Sequence, residues 1–560
     1  MKRQPWLERY DAGVPHTMAY PAAAVHELLE QAAEKYGEHV CTIYKGSKLS
    51  YAVLNGLSDG FAAALLQLGL AKGERVAVMM PNVPQFVIAY YGILKAGGVV
   101  VAMNPQYKAD ELLFQMQASE AKMVVALRAF QPVLESIRAQ FTGCQFIYSS
   151  LEDALVLAEL TAGKEMQIND SLSEFDHSSF LKILRDHLGH KPEGHRARPD
   201  DPAIFQFSGG TTGIPKAAIG LHRNLVANIY QFRHWLVGLE DGREMVLAAI
   251  PLFHVYGMVI AMGMAVALGA GMILIDNARD IDAILQSIDS YHATLFPGVP
   301  NLYQAINRHP DVEAGCYNLS SIKGCISGSA PLMRTTKEKF ESLTGGKLIE
   351  GYGLSEAPTA THCNPMYGEN REGSIGLPIP DVDCRIVDME TGLQEKPVGE
   401  AGELILRGPQ VMAGYYQNDE ETRQTLRDGW LFTGDIARMD TEGYFYLVGR
   451  KKDLIKIGGF QVWPREIEEV LAKHPAVADV CVAGVPDIER SEVVKAWVIL
   501  KNQQEASSDE LQEWCRERIA DYKCPTLIAF RQNFPRTSVG KLLRRELIRE
   551  HIEGMALDVS

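Results

Sequence analysis

Apolar and polar residues in the first part of the chain follow two repeating patterns, one typical of buried strands and one of amphipathic helices. Hydrophobic runs at Arg75 to Met80 and Val99 to Met103 predict strands, and a helical spacing of apolar residues predicts helices from Ser50 to Leu68 and from Pro84 to Ala96. Ser50 is placed to cap the first helix. Strands that alternate with helices imply parallel sheets with helices on both faces.

One long hydrophobic segment, Met245 to Ile275, contains no side chain that is charged at neutral pH. Its length is sufficient for a membrane-spanning helix. However, Pro251 and several glycines interrupt it, and the strands of a parallel sheet are themselves apolar on both faces. We therefore expect a buried strand, a turn at Pro251 to His254, a buried helix and a second buried strand.

The pattern changes after residue 370. Residues 370–448 contain short apolar runs separated by glycine and proline turns, which predict a small β subdomain. The charged stretch Gly449 to Lys456 lies between two folded patterns and is typical of a domain linker. The last part of the chain predicts a compact α+β module with these elements: helices at Pro464 to Lys473, Ser508 to Tyr522 and Leu542 to Glu550, and strands at Val477 to Gly484 and Val493 to Leu500.

Composition narrows the class of protein. A chain of 560 residues is too long for one hydrophobic core, and its net charge of -15 disfavours nonspecific binding to nucleic acid or anionic lipid. The nine cysteines form no C-x-x-C pair, which favours reduced thiols in the cytoplasm over a disulfide framework or a zinc site. The polar N-terminus lacks the apolar core of a signal peptide. Peripheral contact with a membrane and the oligomeric state stay open.

The stretch from Gln206 to Lys216 contains the groups that a phosphate-binding loop needs. An apolar run before it, Ala203 to Phe207, predicts a buried strand that leads into the loop. Three glycines let backbone N–H groups approach an anion, and hydroxyl and lysine side chains add donors. These residues are Ser208, Gly209, Gly210, Thr211, Thr212, Gly213 and Lys216. Ile214-Pro215 before the lysine exclude a Walker A loop. A solvated turn is the alternative interpretation.

Three later sequences add complementary chemistry. In Glu350-Gly-Tyr-Gly-Leu-Ser-Glu356, a predicted Gly-Tyr-Gly turn presents an aromatic face, Ser355 can bond phosphate, and Glu356 can bind Mg²⁺. Asp435 follows an apolar run and can accept both hydroxyls of a ribose. Lys541 lies on a glycine-bearing turn near the end of the chain. Each has a simpler explanation: a packed tyrosine, a helix-capping glutamate, a turn aspartate and a solvated lysine.

Taken together and in this order, the motifs resemble those of the AMP-forming acyl-CoA synthetases of the adenylate-forming superfamily. The resemblance runs from about Trp6 to Arg549. It depends on the following sequences: Ser208-Gly-Gly-Thr-Thr-Gly-x-Pro-Lys216, Gly351-Tyr-Gly-Leu-Ser-Glu356, Thr433-Gly-Asp435, Gly449-Arg-Lys-Lys-Asp453 and Gly540-Lys541. The first motif, together with Pro5-Trp6 and Asn104-Pro-Gln-Tyr107, is most similar to the ligases for medium- and long-chain fatty acids.

The resemblance implies an α/β fold. It has a large N-terminal domain of parallel α/β subdomains plus a small β subdomain, residues 1–450, and a small mobile α+β C-terminal domain, residues 451–560, with a hinge at Lys452. It also implies the cofactors ATP, Mg²⁺ and coenzyme A. A carboxylic acid would attack the α-phosphorus of ATP to give acyl-AMP, and the thiol of coenzyme A would then displace AMP.

The resemblance assigns roles residue by residue. The phosphate-loop residues, with Thr211 catalytic, would hold the leaving phosphates, Glu356 would bind Mg²⁺, Ser355 would contact the α-phosphate, and Lys541 would stabilise the charge that develops during adenylation. The adenine would be bounded by Gly328, Ser329, Ala330, Glu350, Gly351 and Tyr352. Asp435 and Arg450 would hold the ribose. The pantetheine path would be lined by Lys456, Gly458 and Gly459, and the acyl pocket by His254, Tyr256 and Val299.

Three alternatives stay open from the sequence. Gly459-Phe-Gln-Val462 is also similar to ligases for aryl and arylpropenoic acids. The acyl group could be loaded onto a carrier protein instead of coenzyme A. From a different class, the chain could be a noncatalytic acyl-adenylate sensor, although the presence of Lys541, Glu356 and Asp435 disfavours that.

Overall fold

The computed structural model describes residues 4–161, 179–194, 196–209, 215–457, 460–487, 491–537 and 542–558. The strands are β1 Val40–Tyr44, β2 Ser47–Ser50, β3 Arg75–Met79, β4 Val99–Ala102, β5 Met123–Leu127, β6 Gln145–Ser149, β7 Pro202–Gly209, β8 Pro215–Leu221, β9 Met245–Ala248, β10 Gly271–Leu274, β11 Leu295–Gly298, β12 Gly324–Ser327, β13 Lys347–Leu354, β14 Ala357–Cys363, β15 Ser374–Pro378, β16 Asp383–Val387, β17 Gly402–Arg407, β18 Leu426–Arg427, β19 Trp430–Met439, β20 Phe445–Arg450, β21 Ile455–Ile457, β22 Phe460–Val462, β23 Val477–Asp487, β24 Ser491–Leu500 and β25 Leu527–Phe530.

The helices are α1 Val25–Tyr36, α2 Tyr51–Gln67, α3 Pro84–Lys95, α4 Ala109–Ser119, α5 Gln131–Arg138, α6 Asp153–Thr161, α7 Phe180–Asp186, α8 His222–Trp235, α9 Met264–Leu268, α10 Ile281–Tyr291, α11 Pro300–Asn307, α12 Pro310–Glu313, α13 Arg334–Thr344, α14 Asp419–Thr425, α15 Pro464–Leu471, α16 Ser508–Arg516 and α17 Arg544–Asp558. The chain folds into two compact units. The first unit contains the residues up to Asp383 together with Arg407–Leu431, and the second contains Cys384–Leu406 and the residues from Phe432 onward.

The first unit is built on two sheets. In the first sheet the strand order is β6-β5-β3-β4-β7-β8, and its neighbouring strands are parallel except for the antiparallel pair β7 and β8. In the second sheet the order is β15-β14-β13-β12-β11-β9-β10-β1-β2. The neighbouring strands β13, β12, β11, β9, β10 and β1 run parallel to one another. Strands β2, β14 and β15 pair antiparallel with their neighbours. The predicted parallel α/β architecture is therefore confirmed.

Helices α1, α2, α3, α8 and α9 pack against one another in the first unit. Every residue of α3 is buried, which agrees with a sequence that is apolar apart from Gln85 and Lys95. The predicted cap is also present, because the hydroxyl of Ser50 accepts a hydrogen bond of 3.4 Å from the amide of Val53. The buried ammonium of Lys95 is paired with the carboxylate of Asp59.

The hydrophobic segment from Met245 to Ile275 folds as expected, with strand β9, a turn, a helical stretch and strand β10. The difference lies in the helix, which begins as a π-helix at Gly257–Gly263 before it becomes α9. A Cβ atom added to Gly257 would lie 2.3 Å from the carbonyl oxygen of Pro251, so the close approach there requires glycine. Within the described ranges, no helix is both long and apolar enough to cross a membrane.

In the second unit, β16, β17, β19 and β20 lie side by side. Strands β21 and β22 form a hairpin, and β23-β24-β25 form a separate sheet against which α15 and α17 pack. The predicted α+β module is thus present, although α16 ends at Arg516 and not near Tyr522. The predicted boundary at residue 450 falls inside this unit, which also includes part of the predicted β subdomain. The hinge at Lys452 stays a prediction.

Three buried histidines, His26, His222 and His362, make the first unit sensitive to acid. His26 is 1% exposed, and neither of its ring nitrogens has a hydrogen-bond partner among the described residues. Burial lowers the pKa of His26 to about 3, with Arg196 and Lys95 adding to the effect. Burial also lowers the pKa of His222 and of His362 to about 3. All three histidines are therefore neutral in the folded protein at mildly acidic pH, when the unfolded chain binds protons.

We expect stability to fall as pH decreases below about 6.5, by up to about 1.4 kcal/mol per pH unit for each histidine, because the unfolded state then binds more protons. The measurement is the midpoint of urea unfolding between about pH 5 and pH 7.5. His26→Gln should flatten the dependence, and the same change at the exposed His190 should not. Equal slopes in His26→Gln and the unaltered protein would contradict the assignment.

Candidate active site

The predicted phosphate loop connects two strands of a hairpin. Strands β7 and β8 pair antiparallel, with Ser208 opposite Lys216 and Gly209 opposite Pro215. The predicted strand before the loop is confirmed. The loop residues Gly210, Thr211, Thr212 and Gly213 lie outside the described residues, and their roles stay predictions.

Lys216, the lysine of the predicted phosphate loop, lies within the described residues. Its side chain is 7% exposed, and its ammonium forms an ion pair with the carboxylate of Glu421, which lies on α14. Its Nζ atom also lies 5.7 Å from the centre of the Tyr415 ring, within the range of a cation–π contact. The positive charge is thus held at the start of β8, next to the loop.

Glu356 lies in the tight turn between β13 and β14. Its Oε1 atom accepts a hydrogen bond of 2.9 Å from the hydroxyl of Tyr415. Tyr415 therefore contacts both Lys216 and Glu356, the two predicted phosphate and metal residues. The alternative interpretation of Glu356 as a helix-capping residue is wrong, because the element that follows Glu356 is strand β14 and not a helix.

The predicted adenine residues meet at the carboxyl ends of neighbouring parallel strands. Gly298, Ser327 and Glu350 lie side by side at the ends of β11, β12 and, within its parallel part, β13. The segments that follow them contain the predicted residues Val299, Gly328 to Ala330, Gly351 and Tyr352. This edge of a parallel sheet is where ligands usually bind.

The sequence Gly351-Tyr-Gly353 is not a turn, and this prediction is wrong. Strand β13 continues through it, with Gly351 opposite Cys363 and Tyr352 opposite His362 on β14. The turn comes later, at Ser355 and Glu356. A Cβ atom on Gly353 would lie 1.7 Å from the carbonyl oxygen of Thr359, so glycine is required by the close approach of two strands.

Tyr256 joins the predicted acyl and adenine residues. Its hydroxyl donates to the carbonyl of Ile326 over 2.7 Å, and a Cβ atom added to Gly328 would lie 3.1 Å from its ring. Burial raises the pKa of Tyr256 well above its usual value. The amide of Tyr256 donates to Nδ1 of His254 over 3.2 Å. Since its hydroxyl is used by the backbone, Tyr256 can present only its ring to a ligand.

In the second unit, the predicted ribose residues are direct cross-strand partners. Asp435 on β19 lies opposite Arg450 on β20, and Nε of Arg450 lies 2.9 Å from Oδ1 of Asp435. Asp435 is 6% exposed at its side chain and lies within a strand, so its alternative interpretation as a turn aspartate is wrong. Lys452 lies in the short 3₁₀ turn that follows, and Lys456 lies on β21. Gly458, Gly459 and Lys541 lie outside the described residues.

Sequence reasoning did not single out Tyr415 and Glu421. Tyr415 lies 59 positions from Glu356 in the chain. Its neighbourhood, Ala413-Gly-Tyr-Tyr416, has no spacing that points to a site, and the acidic run around Glu421 predicts only the start of a helix.

Comparison with known proteins places the chain in a family. Residues 29–416 match the family described as AMP-binding enzyme, and residues 466–541 match the AMP-binding enzyme C-terminal domain. This chain belongs to the AMP-binding enzyme family. A relative named long-chain-fatty-acid–CoA ligase, from Bacillus subtilis (strain 168), is 41% identical over 560 residues, which cover 99% of each chain.

Two solved structures have a fold similar to that of this chain. ATP-bound MatB from Rhodopseudomonas palustris is 27% identical, with a TM-score of 0.82, over 94% of this chain and 99% of that chain. A benzoate CoA ligase from Burkholderia xenovorans LB400 is 26% identical, with a TM-score of 0.81, over the same shares of the two chains.

Proposed function

We propose that this protein joins a medium- or long-chain fatty acid to coenzyme A, through an acyl-AMP intermediate, with release of AMP and pyrophosphate. The likeness to a long-chain-fatty-acid–CoA ligase over nearly the whole of both chains carries this proposal. A carboxylate is a poor electrophile, and its conversion to a mixed anhydride with AMP gives the thiol of coenzyme A a good leaving group to displace.

The residues at the start of β8 and after β13 fit the triphosphate and its metal. Lys216 provides a held positive charge beside the phosphate loop, and Ser208, Thr211 and Thr212 provide hydroxyl donors. The carboxylate of Glu356 offers oxygen ligands, the type that Mg²⁺ prefers. Bound Mg²⁺ would neutralise charge on the phosphates. In this proposal Lys216 exchanges its contact with Glu421 for the leaving pyrophosphate.

The remaining roles follow the family motifs. Asp435 and Arg450 would hold the ribose, since a carboxylate accepts from both hydroxyls. The edge formed by Gly328 to Ala330 and by Glu350 to Tyr352 would bound the adenine, and Ser355 would contact the α-phosphate. Lys541 would stabilise the charge that develops when the carboxylate attacks. Rotation at Lys452 would then bring the pantetheine path at Lys456, Gly458 and Gly459 into use.

His254, the ring of Tyr256 and Val299 would line the acyl pocket. Tyr256 is fixed by its hydrogen bond to Ile326, so its ring would form a rigid wall between the proposed pocket and Gly328. The bound carboxylate would thereby be kept near the adenine edge, where the α-phosphate lies in this proposal. A cytoplasmic location also stays a prediction.

The experiment that tests this function is a panel of carboxylic acids assayed for AMP release that depends on coenzyme A. Fatty acids from hexanoate to octadecanoate should be substrates, and benzoate and cinnamate should be poor ones. A preference for the aryl acids would support the alternative of an aryl-CoA ligase. Acyl-AMP that accumulates without thioester would support loading of a carrier protein, and no AMP release with any acid would overturn the proposal.

A further inference from the structure

Tyr415 lies in an extended segment, residues 412–416, that runs beside β8. The amide of Ile219 donates to the carbonyl of Gly414 over 2.9 Å, and the amide of Tyr416 donates to the carbonyl of Ala217 over 2.9 Å. This segment therefore adds to the edge of the first sheet at the strand that follows the phosphate loop. The position of Tyr415 is set by β8.

The segment holds Glu356 at two points. The hydroxyl of Tyr415 donates to Oε1 of Glu356 over 2.9 Å, and the amide of Met412 donates to the backbone carbonyl of Glu356, also over 2.9 Å. Tyr415 is 7% exposed, so this hydrogen bond is shielded from water.

A second set of contacts anchors the segment to α14. The amide of Tyr415 donates to Oγ1 of Thr422 over 2.9 Å, and the hydroxyl of Thr422 in turn donates to the carbonyl of Asn418 over 2.8 Å. A Cβ atom added to Gly414 would lie 2.8 Å from Cγ2 of Thr422, which shows how closely the two pieces approach. Tyr415 is therefore held on both its backbone and its side chain.

We propose that Tyr415 is a positioning residue that orients the carboxylate of Glu356 toward the divalent cation that accompanies ATP. This inference rests on the proposed function. A hydrogen bond to one oxygen fixes the plane of a carboxylate, and Mg²⁺ tolerates little departure from octahedral geometry. The Tyr415 ring also faces Lys216, so this one side chain contacts both the predicted cation ligand Glu356 and the lysine of the phosphate loop.

The variant Tyr415→Phe tests this role, because it keeps the aromatic ring beside Lys216 and removes only the hydroxyl. Mn²⁺ serves as the probe, and its binding to the enzyme with α,β-methylene-ATP is measured by electron paramagnetic resonance. We expect the Kd for Mn²⁺ to rise about 10-fold, as is typical when the partner of a metal ligand is lost. High Mg²⁺ concentration should restore much of the lost adenylation rate.

The adjacent Tyr416 provides a matched control. Its hydroxyl donates to Oε2 of the exposed Glu120 over 2.7 Å, so Tyr416→Phe removes one tyrosine hydroxyl without touching Glu356. Its Kd for Mn²⁺ should be unchanged. Thr422→Val offers a second route to the same effect, since it removes the acceptor of the Tyr415 amide and should also weaken Mn²⁺ binding.

A double-mutant cycle separates positioning from general damage. In a Glu356→Gln background, Tyr415→Phe should cause no further loss of Mn²⁺ binding. An equal loss in both backgrounds, or an unchanged Kd in the single variants, would overturn the role of Tyr415 and leave the proposed function intact. If the unaltered enzyme bound no Mn²⁺ with the nucleotide, both proposals would fail.

Discussion

Lys541→Ala is expected to lower the rate of acyl-adenylate formation by about 10²-fold to 10³-fold, the usual cost of losing one preorganised charge donor. The same variant should form thioester from supplied acyl-AMP and coenzyme A at close to the normal rate. The reason is that the lysine would act on charge that develops only in the first half-reaction. Two assays measure this directly: ATP–pyrophosphate exchange with fatty acid, and thioester formation from synthetic acyl-AMP.

Lys473 provides the control for Lys541. It is an exposed lysine just after α15 in the same unit, and Lys473→Ala should leave both half-reactions unchanged. If Lys541→Ala lowered both rates equally, the assignment of this lysine to one half-reaction would be wrong. The rotation proposed at Lys452 would then lose its main chemical reason.

Gly353→Ala is expected to destabilise the first unit by about 3 kcal/mol, the upper part of the range for overpacking. The added Cβ atom would lie 1.7 Å from the carbonyl oxygen of Thr359, and no side-chain rotation relieves a contact between two backbones. The pairing of β13 with β14 shifts register between Tyr352 and Leu354, so Gly353 lies at a bulge. A lower midpoint of urea unfolding, with loss of activity, would be the observed result.

Gly351→Ala is the matched control for stability, because it adds the same methyl group two positions away on the same strand. Its Cβ atom would lie 3.4 Å from the nearest heavy atoms, an ordinary contact. We expect little change in the unfolding midpoint. Similar destabilisation by both variants would mean that the strand tolerates no side chain there, and that the close approach at Thr359 is not the cause.

Local patterns were sufficient where a residue's neighbours in sequence determine its structure. The cap at Ser50, the buried strands on either side of the Pro251 turn and the helix α15 follow from periodicity and capping chemistry. Asp435 and Arg450 were singled out separately by their motifs, and the structure shows that they pair across two strands. That pairing could not be derived from either motif alone.

Patterns failed where distant segments meet. The sequence Gly351-Tyr-Gly353 looks like a turn, because glycine usually marks one, but here it permits contact with Thr359 on a neighbouring strand. The hydrogen bond from Thr433 to the carbonyl of Leu404 joins two pieces of the second unit that are separated by residues of the first. Tyr415 belongs to the candidate site only through β8 and Glu356, and no local signal indicates such contacts.

In the proposed reaction a fatty acid becomes an acyl-adenylate before it meets coenzyme A, and the transfer of oxygen atoms reports on this order of steps. Hexadecanoic acid labelled with oxygen-18 in both carboxyl positions is incubated with the enzyme, ATP and coenzyme A, and the products are analysed by mass spectrometry. One labelled oxygen should appear in the phosphate of AMP, one in the thioester carbonyl, and none in pyrophosphate. An acyl-adenylate intermediate would be excluded by label in pyrophosphate, by unlabelled AMP, or by ADP in place of AMP.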